Sequence, residues 1–250
     1  MDSEITAVVL TKNEEKNITD CLESLKWVDN LIIVDDFSSD KTIELAKKYS
    51  VKIYQRSLGL DFSMQRNFAL SKVTTEWTFF VDADERISEE LKNEIIGKLN
   101  FNNGFDGYKI KRTDVMWGKK IRYGEQGNTW ITRLFRTKKG RYQGKIHEKV
   151  RVDGVIGKVN NEIIHYPHQS IKDFLKELNF YSTIRANELK EAGIKSNGFL
   201  ILAYTMGKFI KNYFFLLGIL DGVRGLILAT IMSMHSFLSR GKLWLLWKKR

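Results

Sequence analysis

The octapeptide FFVDADER (Phe79–Arg86) joins an apolar run to a group of acids. The apolar residues Trp77–Val81 are typical of a strand that is buried on both faces, as strands in parallel sheets are. The acids that follow directly are Asp82, Asp84 and Glu85. Open parallel sheets bind ligands at the carboxyl ends of their strands, so this octapeptide predicts a ligand site at that edge.

Asp82 and Asp84 are two residues apart, so on a regular strand their side chains would lie on the same side. Two carboxylates held close together repel each other unless a cation lies between them. Because Mg²⁺ and Mn²⁺ prefer oxygen ligands, the spacing favours a site for one of these cations. The alternative is an acidic turn in contact with solvent, since so short a motif also occurs by chance.

Apolar residues at strand and helix spacing predict further elements around this strand. Strands are expected at Ile5–Thr11, Leu31–Val34, Val51–Tyr54 and Glu76–Val81. Helices are expected around Ile18–Val28, at Thr42–Tyr49, at Ser63–Lys72 and, after the N-cap residue Ser88, at Glu89–Leu99. Strands that alternate with helices predict a three-layer α/β fold with a mainly parallel sheet.

Three of the predicted strands end in polar segments, which are Thr11–Glu14, Asp35–Asp36 and Asp82–Glu85. Any one of them could be an ordinary loop, but the carboxyl ends of parallel strands meet at one edge of a sheet. We therefore expect the three segments to form one site. The sequence has no G-x-G-x-x-G after the first strand and no G-x-x-x-x-G-K-[ST], which disfavours a dinucleotide-binding fold and a P-loop nucleotide hydrolase.

The composition is that of a folded globular chain, since 43% of its 250 residues are hydrophobic and 28% are charged. The single cysteine, Cys21, excludes an internal disulfide framework and a cysteine-rich zinc site. The first residues, MDSEITAVVL, carry acids where a secretory signal would carry positive charge. We therefore expect no export signal.

The positive charge is concentrated in an apolar C-terminal tail. From Gly198 onward eight basic residues oppose one acid, so this segment carries +7 of the total net charge of +11. Charges interrupt residues 199–238 too often for a spanning helix, which needs about 20 apolar residues. We expect one or two amphipathic or re-entrant helices on an anionic membrane surface, at the cytoplasmic face of the cell membrane, as a peripheral or monotopic attachment. The alternative is a helical pair that packs on the α/β part or joins two copies of the chain.

The motifs TKNEE, VDDFSSDKT, QRNFAL and VDADER, in this order, resemble the nucleotide-sugar-binding half of family 2 glycosyltransferases. RLFR, GKIHEKV, IIHYPHQS and GILDGVRG resemble more narrowly the bacterial subgroup that includes lipopolysaccharide-core β-glucosyltransferases. The composition of the tail indicates a C-terminal helical, membrane-associated region. The resemblance implies a GT-A fold, a three-layer sandwich with a mainly parallel sheet. It divides the chain into a nucleotide-sugar-binding half (1–107), an acceptor-binding and catalytic half (108–169) and the helical region (170–250).

The resemblance also implies a nucleotide-diphosphate sugar donor, a divalent cation (Mg²⁺ or Mn²⁺) and inversion at the anomeric carbon. Such a cation stabilises the charge of the departing diphosphate. Asp84 is the expected direct ligand of the cation, with Asp82 beside it and His147 or His165 as a candidate further ligand. The expected donor-binding residues are Thr11, Asn13, Glu14, Asp35, Asp36, Arg66 and Asp82.

Direct displacement needs a base for the acceptor hydroxyl, and a carboxylate commonly serves. Glu148 is favoured because it lies in GKIHEKV, with Glu125 and Asp114 as alternatives, and an ion-paired structural role is the other interpretation of Glu148. The expected acceptor-binding residues are Trp117, Glu125 and Trp130. The two tryptophan rings suit the faces of sugars, and Glu125 is an acid of the same stretch. Arg133 and Arg136 are expected either to bind the diphosphate or to pair with acids across a strand.

The sequence therefore indicates an inverting glycosyltransferase that passes a sugar to a lipid-linked or lipopolysaccharide-core glycan. The favoured sugar is a hexose, and the favoured donor is UDP-linked. A nucleotidyltransferase could share the sheet and the acids, but its triphosphate loop is usually basic and rich in glycine, whereas TKNEEKN is acidic. A non-catalytic sugar-nucleotide-binding or membrane scaffold protein is a further alternative. A nucleic-acid-binding protein is disfavoured, because no zinc-finger or RNP pattern occurs and the basic tail is apolar.

Overall fold

The structure is a computed structural model that describes residues 4–59, 61–101, 104–144, 148–167 and 170–248. The chain divides into two compact units. The first unit comprises Met1–Arg112 and Trp130–His165, and the second comprises Thr113–Thr129 and Tyr166–Arg250. The segment Thr113–Thr129, which the sequence assigns to the acceptor-binding half, thus groups with the C-terminal helices. The division into donor-binding and acceptor-binding halves stays a prediction.

Strands and helices alternate through the first hundred residues and are then followed by a run of strands and three long helices. The alternating elements are β1 (Ile5–Thr11), α1 (Ile18–Glu23), β2 (Asn30–Asp35), α2 (Thr42–Ala46), β3 (Lys52–Gln55), α3 (Phe62–Leu70), β4 (Trp77–Asp82), β5 (Glu85–Arg86) and α4 (Glu89–Asn100). The later strands are β6 (Gly107–Met116), β7 (Lys119–Lys120), β8 (Thr129–Arg136), β9 (Gly140–Gln143), β10 (Lys149–Val152) and β11 (Ile156–His165). The long helices are α5 (Ile171–Glu191), α6 (Gly198–Ile210) and α7 (Val223–Lys248).

The main sheet has the strand order β3-β2-β1-β4-β8-β6-β11-β5. Strands β3, β2, β1 and β4 are parallel to one another. Strand β8 runs antiparallel to β4, and β11 runs antiparallel to β5. The expected α/β fold is confirmed, and its parallel part consists of the four strands that the sequence predicts.

Helices cover this sheet on both faces, because alternate residues of each strand point to opposite sides. Ala7 and Val9 of β1 belong to the hydrophobic cluster that includes Leu91 of α4. Val8, between them, belongs to a second cluster that includes Ala69 of α3. Because both faces of β1 are buried, its residues are mostly apolar. Polar side chains are therefore found at the ends of the strands.

The local elements agree with the sequence predictions except at some ends. Strand β1 has the predicted bounds, and Ser88 caps α4 by accepting the Leu91 N–H at 3.3 Å. Helix α2 ends at Ala46, three residues before its predicted end. Strand β4 ends at Asp82 and the next two residues form a turn, so the strand geometry expected to place Asp84 on the same side does not reach it.

Helices α5, α6 and α7 form most of the second unit. Phe174 and Leu178 of α5 pack with Leu228 and Ile231 of α7. Lys242 of α7 donates to the carbonyl oxygen of residue 179 in α5 at 2.7 Å. Within the described ranges, no helix combines the length and the apolarity that crossing a membrane requires.

Candidate active site

Polar residues at the ends of three adjacent parallel strands lie at one edge of the sheet. In the strand register, Thr11 of β1 pairs with Asp35 of β2, and Leu10 of β1 pairs with Asp82 of β4. Thr11, Asp35 and the following Asp36 are nearly or fully buried. The expected convergence of the three polar segments is therefore confirmed, whereas the roles of their residues stay predictions.

The loop after β1 is hydrogen-bonded to the loop after β2. Asn13, which has a positive φ of 56°, accepts the Ser39 N–H through Oδ1 at 2.8 Å. Its own N–H donates to Ser38 Oγ at 2.8 Å. The Glu14 N–H donates to Thr42 Oγ1 at 2.7 Å. Through these bonds Asn13 and Glu14, both predicted to bind the donor, join the two loops at the edge of the sheet.

The carboxylates at the end of β2 also have partners within this edge. Asp35 Oδ2 accepts the Ser38 N–H at 2.9 Å, and Asp36 pairs with Lys12 at 2.6 Å. The buried hydroxyl of Thr11, in contrast, has no hydrogen-bond partner among the described residues. A buried polar atom without a partner is energetically unfavourable, so this hydroxyl is suited to bond a ligand.

Asp82 lies between two buried arginines that come from different elements. Arg66 of α3 donates from Nη2 to Asp82 Oδ1 at 3.2 Å. Arg133 of β8 donates from Nη2 to Asp82 Oδ2 and to Glu85 Oε1, the latter at 3.1 Å. Glu85 is fully buried and accepts the Asp82 N–H through Oε2 at 2.9 Å. We call Arg66, Arg133, Asp82, Glu85 and Glu148 the arginine–carboxylate network; the contact of Glu148 is described below.

The network shifts the pKa values of its two central acids in opposite directions. Burial by itself would raise the pKa of Asp82, but the guanidinium groups of Arg133 and Arg66 outweigh it and hold the pKa well below its usual range. Burial raises the pKa of Glu85; Arg133 opposes that rise and the charge of Asp82 adds to it. At neutral pH Asp82 is therefore an anion that is bound by two cations.

Glu148 joins the network through Arg66. Its Oε1 accepts the Arg66 Nε–H at 2.7 Å, and its side chain is only 14% exposed. Although Glu148 and Arg66 are 82 residues apart in the sequence, one arginine links Glu148 to Asp82. The contact places Glu148 beside the acidic turn, and it is also the ion pair of the alternative interpretation, so the role of base stays a prediction.

Strand pairing brings His165 to the acidic turn. His165, the last residue of β11, pairs with Glu85 of β5. Its Nε2 lies 3.1 Å from Asp84 Oδ2, and the two side chains are 10% and 24% exposed. The turn after β4 and the end of β11 therefore place one carboxylate and one imidazole together, partly open to solvent.

Asp84 and His165 fit a divalent cation better than Asp82 does. A carboxylate oxygen and an imidazole nitrogen can both bind Mn²⁺, whereas both oxygens of Asp82 are bound by arginine. In the part of the chain that the structure describes, no group of three or more His, Cys, Asp or Glu side chains is arranged to hold a metal ion. A cation at this pair would complete its coordination with oxygens of a bound ligand or water. His147, the other candidate, lies outside the described residues.

The residues predicted to bind the acceptor fall in different units. Trp130 lies on β8, in the unit that carries the network, and it is 39% exposed. Trp117 and Glu125 belong to the second unit, as does Asp114, which is predicted only as an alternative base. There, Glu125 is paired with Lys208 at 2.6 Å. Trp130 is therefore the residue of this set whose unit also contains the candidate site.

Glu85 lies in a segment that the sequence assigns to the site, but the sequence motifs predicted no role for it. The sequence left two interpretations of Arg133: its pairing with acids across strands is observed, and its binding of the diphosphate stays a prediction. A signal was present, because Arg133 stands in the strand-like run TWITRLFR, and a buried arginine requires an acidic partner. VDADER is an obvious source of that partner, but only the order of the strands shows that the two segments meet.

The sequence profile of Glycosyl transferase family 2 matches residues 6–154, and the chain belongs to this family. An uncharacterised glycosyltransferase of Rickettsia typhi is 30% identical over 253 residues, which cover 96% of this chain and 86% of that protein. The lipopolysaccharide core biosynthesis glycosyltransferase LpsC of Rhizobium meliloti is 28% identical over 251 residues, which cover 96% of this chain and 92% of LpsC. The resemblance found in the motifs is confirmed.

The fold is also that of solved glycosyltransferases. The mannosyltransferase PcManGT of Pyrobaculum calidifontis, in complex with GDP-Man and Mn²⁺, superposes with a TM-score of 0.54 at 12% identity, over 100% of this chain and 89% of that one. At this identity the likeness concerns the fold alone, and it agrees with the expected GT-A fold. Membership of the family makes the chain an enzyme of the glycosyltransferase class, so the nucleotidyltransferase and the non-catalytic scaffold are no longer needed as interpretations.

Proposed function

We propose that the chain transfers a hexose, with inversion at the anomeric carbon, from a UDP-linked sugar to a lipopolysaccharide-core or lipid-linked glycan. The observation that carries this proposal is the contact of Asp84 with His165 beside the network that binds Glu148. It groups a candidate cation-binding pair, two buried arginines and a candidate base at the edge where such sheets bind ligands. The similarity to LpsC, a protein named for lipopolysaccharide core biosynthesis, supports the acceptor class.

The donor would lie across the ends of β1, β2 and β4. The Thr11 hydroxyl would bond the nucleoside, since it is buried without a partner among the described residues. Nη1 of Arg66 and Nε of Arg133 are likewise buried and unpartnered within the described ranges, so they are available to the diphosphate oxygens. Both side chains are 8% exposed, and solvent screens such charges only weakly.

Asp84 and His165 would hold the divalent cation, Mg²⁺ or Mn²⁺. When bound, the cation stabilises the negative charge of the departing diphosphate. Asp82 would act differently from Asp84, because its carboxylate orients Arg66 and Arg133 toward the same group. Asp82 and Asp84 would therefore have separate tasks.

Glu148 would accept the proton of the attacking acceptor hydroxyl. The acceptor oxygen forms a bond to the anomeric carbon while the bond from that carbon to the diphosphate oxygen breaks. The electron pair leaves with the diphosphate, and the proton passes to the Glu148 carboxylate. A single displacement of this kind inverts the anomeric carbon without a covalent enzyme intermediate. Arg66, which binds both Glu148 and Asp82, would keep the base in register with the donor.

A panel of nucleotide sugars tests the donor and the cation together. Each sugar nucleotide is added to the full chain with Mn²⁺, with Mg²⁺ or with EDTA, and the midpoint of thermal unfolding is recorded. A UDP-hexose should raise the midpoint most, because a ligand that binds only the folded state stabilises it, and EDTA should abolish the increase. A larger increase with another nucleotide would contradict the UDP assignment, and an undiminished increase in EDTA would contradict the cation.

Glu148→Gln tests the base. The substitution keeps the size and removes the basicity, so turnover should fall by roughly 10²–10⁴-fold while the donor-induced increase in unfolding midpoint is retained. Glu125→Gln, which changes the alternative base, is the matched variant and should keep its turnover. If the two variants behave in the opposite way, the role passes to Glu125. Loss of donor binding in Glu148→Gln would instead make Glu148 part of the donor site.

A further inference from the structure

Helix α6 carries a stripe of exposed apolar side chains. Phe199, Leu202, Met206 and Ile210 follow one another at intervals of three or four residues, so they lie on one face of the helix. They are 78%, 61%, 63% and 40% exposed. None of the residues of α6, all of which the structure describes, is buried. Such a contiguous apolar face on a protein surface marks a site of interaction.

The turn between α6 and α7 carries further exposed apolar side chains. Phe215 and Leu220 of the turn are 78% and 61% exposed, and Val223, the first residue of α7, is 72% exposed. The turn is closely packed, because a Cβ added at Gly225 would lie 1.7 Å from the carbonyl oxygen of Gly218. A closely packed turn thus presents the apolar side chains outward. We call the docking surface the side chains of Phe199, Leu202, Met206, Ile210, Phe214, Phe215, Leu220 and Val223.

Cations accompany the apolar side chains of α6 and α7. Lys211, directly after α6, lies 3.5 Å from Glu125, but its side chain is still 59% exposed. The Arg240 guanidinium lies 3.8 Å from the centroid of the Tyr204 ring, and Lys248 Nζ lies 5.6 Å from that of Trp244. Tryptophan and tyrosine beside lysine and arginine are the side chains that settle between the headgroups and the acyl chains of a bilayer.

The segment from Gly198 onward contains one acid, and this acid is hydrogen-bonded within the protein. It therefore does not weaken the attraction of the basic residues for anions. Asp221 is the sole acid from Gly198 to the end of the sequence, and its Oδ2 accepts the Tyr123 N–H at 2.9 Å. The segment carries a net charge of +7. A second copy of the chain seated on the same surface would bring two such charges together, whereas a layer of anionic headgroups would neutralise them.

We propose that the docking surface binds an anionic phospholipid bilayer, with α6 and the following turn lying in the headgroup region. The 13 residues of α6 span about 20 Å at 1.5 Å per residue, whereas the hydrocarbon core is about 30 Å thick. The basic residues supply attraction to the headgroups, and the exposed rings and aliphatic side chains supply burial in the outer acyl region. None of the residues of this surface belongs to the proposed donor site or is the proposed base.

Vesicle sedimentation tests the surface. The full chain is mixed with vesicles of phosphatidylcholine alone or of phosphatidylcholine and phosphatidylglycerol, and the bound fraction is measured at low and high salt. The wild type should prefer the anionic vesicles and bind them less at high salt, because salt screens the basic residues. The double variant Phe199→Ser, Phe215→Ser should bind at least about tenfold more weakly, because it removes two large apolar groups.

Phe101→Ser is the matched control, since Phe101 belongs to the first unit and is 76% exposed. It should bind the vesicles as the wild type does. Equal binding of the double variant and the wild type would overturn the proposal, and so would equal binding of neutral and anionic vesicles. Failure of the wild type to bind vesicles, combined with self-association that the double variant abolishes, would assign the surface to a second copy of the chain.

Discussion

Replacing Arg133 by methionine should destabilise the first unit strongly. Arg133 is bound to Asp82 and to Glu85, which is fully buried. Methionine fills much of the space of the arginine stem but leaves these acids without that cation. Breaking a buried ion pair by removing one partner reduces the free energy of unfolding by about 3–5 kcal/mol. For a chain of this size the unfolding midpoint should fall by roughly 6–20 °C, at about 2–4 °C per kcal/mol.

The matched control is Arg136→Met, because it makes the same substitution on the same strand. Arg136 pairs with Glu76 and Asp106, and its side chain and that of Glu76 are 28% and 47% exposed. Ion pairs in contact with solvent contribute about 1 kcal/mol or less, so this variant should unfold within a few degrees of the wild type. Urea unfolding followed by tryptophan fluorescence and circular dichroism measures both variants.

The deficit of Arg133→Met should also depend on pH. Against the effect of burial, Arg133 and Arg66 hold the pKa of Asp82 below its usual range. A carboxyl with a depressed folded-state pKa stabilises the fold above its unfolded pKa, about 3.9, and that contribution is lost as pH falls through the folded value. The variant lacks part of this depression. Its deficit relative to the wild type should therefore be largest near neutral pH and should narrow below about pH 4.

Equal stability of Arg133→Met and Arg136→Met at neutral pH would refute this reasoning. It would mean that burial of the charges opposes folding as much as their pairing supports it. A deficit that stays constant from neutral to acidic pH would show that lost packing, and not lost charge pairing, explains the difference between the variants.

Three further outcomes follow from the structure. Asp84→Asn should keep the free energy of unfolding within about 1 kcal/mol, because this side chain is 24% exposed, but it should lose the cation-dependent stabilisation by donor in the thermal assay; retained stabilisation would remove Asp84 and His165 as the cation-binding pair. Gly225→Ala should lower the free energy of unfolding by at least about 2 kcal/mol in urea titration, because its Cβ would overlap the Gly218 carbonyl oxygen. Burial raises the pKa of the Cys21 thiol, so iodoacetamide should label it only after unfolding, as mass spectrometry would show.

The strands of the parallel half could be predicted because their signal is local. Residues such as Ile32 and Ile33 of β2 face opposite sides of the sheet and are both buried, so the run remains apolar throughout. Polar residues then begin where each strand ends, and the topology of parallel strands brings those ends together. These two facts were sufficient to predict that Thr11, Asp35 and Asp82 lie at one edge of the sheet.

The pairing of Asp82 with two arginines could not be predicted in the same way. Spacing alone makes Asp82 and Asp84 equivalent candidates for a cation. Arg133 is 51 residues from Asp82, and its position beside that acid results from the antiparallel pairing of β8 with β4. No local pattern encodes which distant strand lies beside β4.

The sequence by itself determined the family, the α/β fold, the edge of the sheet that carries the acids and the basic, apolar character of the C-terminal segment. These properties depend on motifs, on periodicity and on composition, which are present in the chain before it folds. The tertiary structure decided that Asp82 is bound by arginines, that Glu148 meets Arg66 and that His165 meets Asp84. Glu148 and Arg66 are separated by 82 positions in the sequence, and His165 and Asp84 by 81. Only the order and direction of the later strands bring such residues within hydrogen-bonding distance.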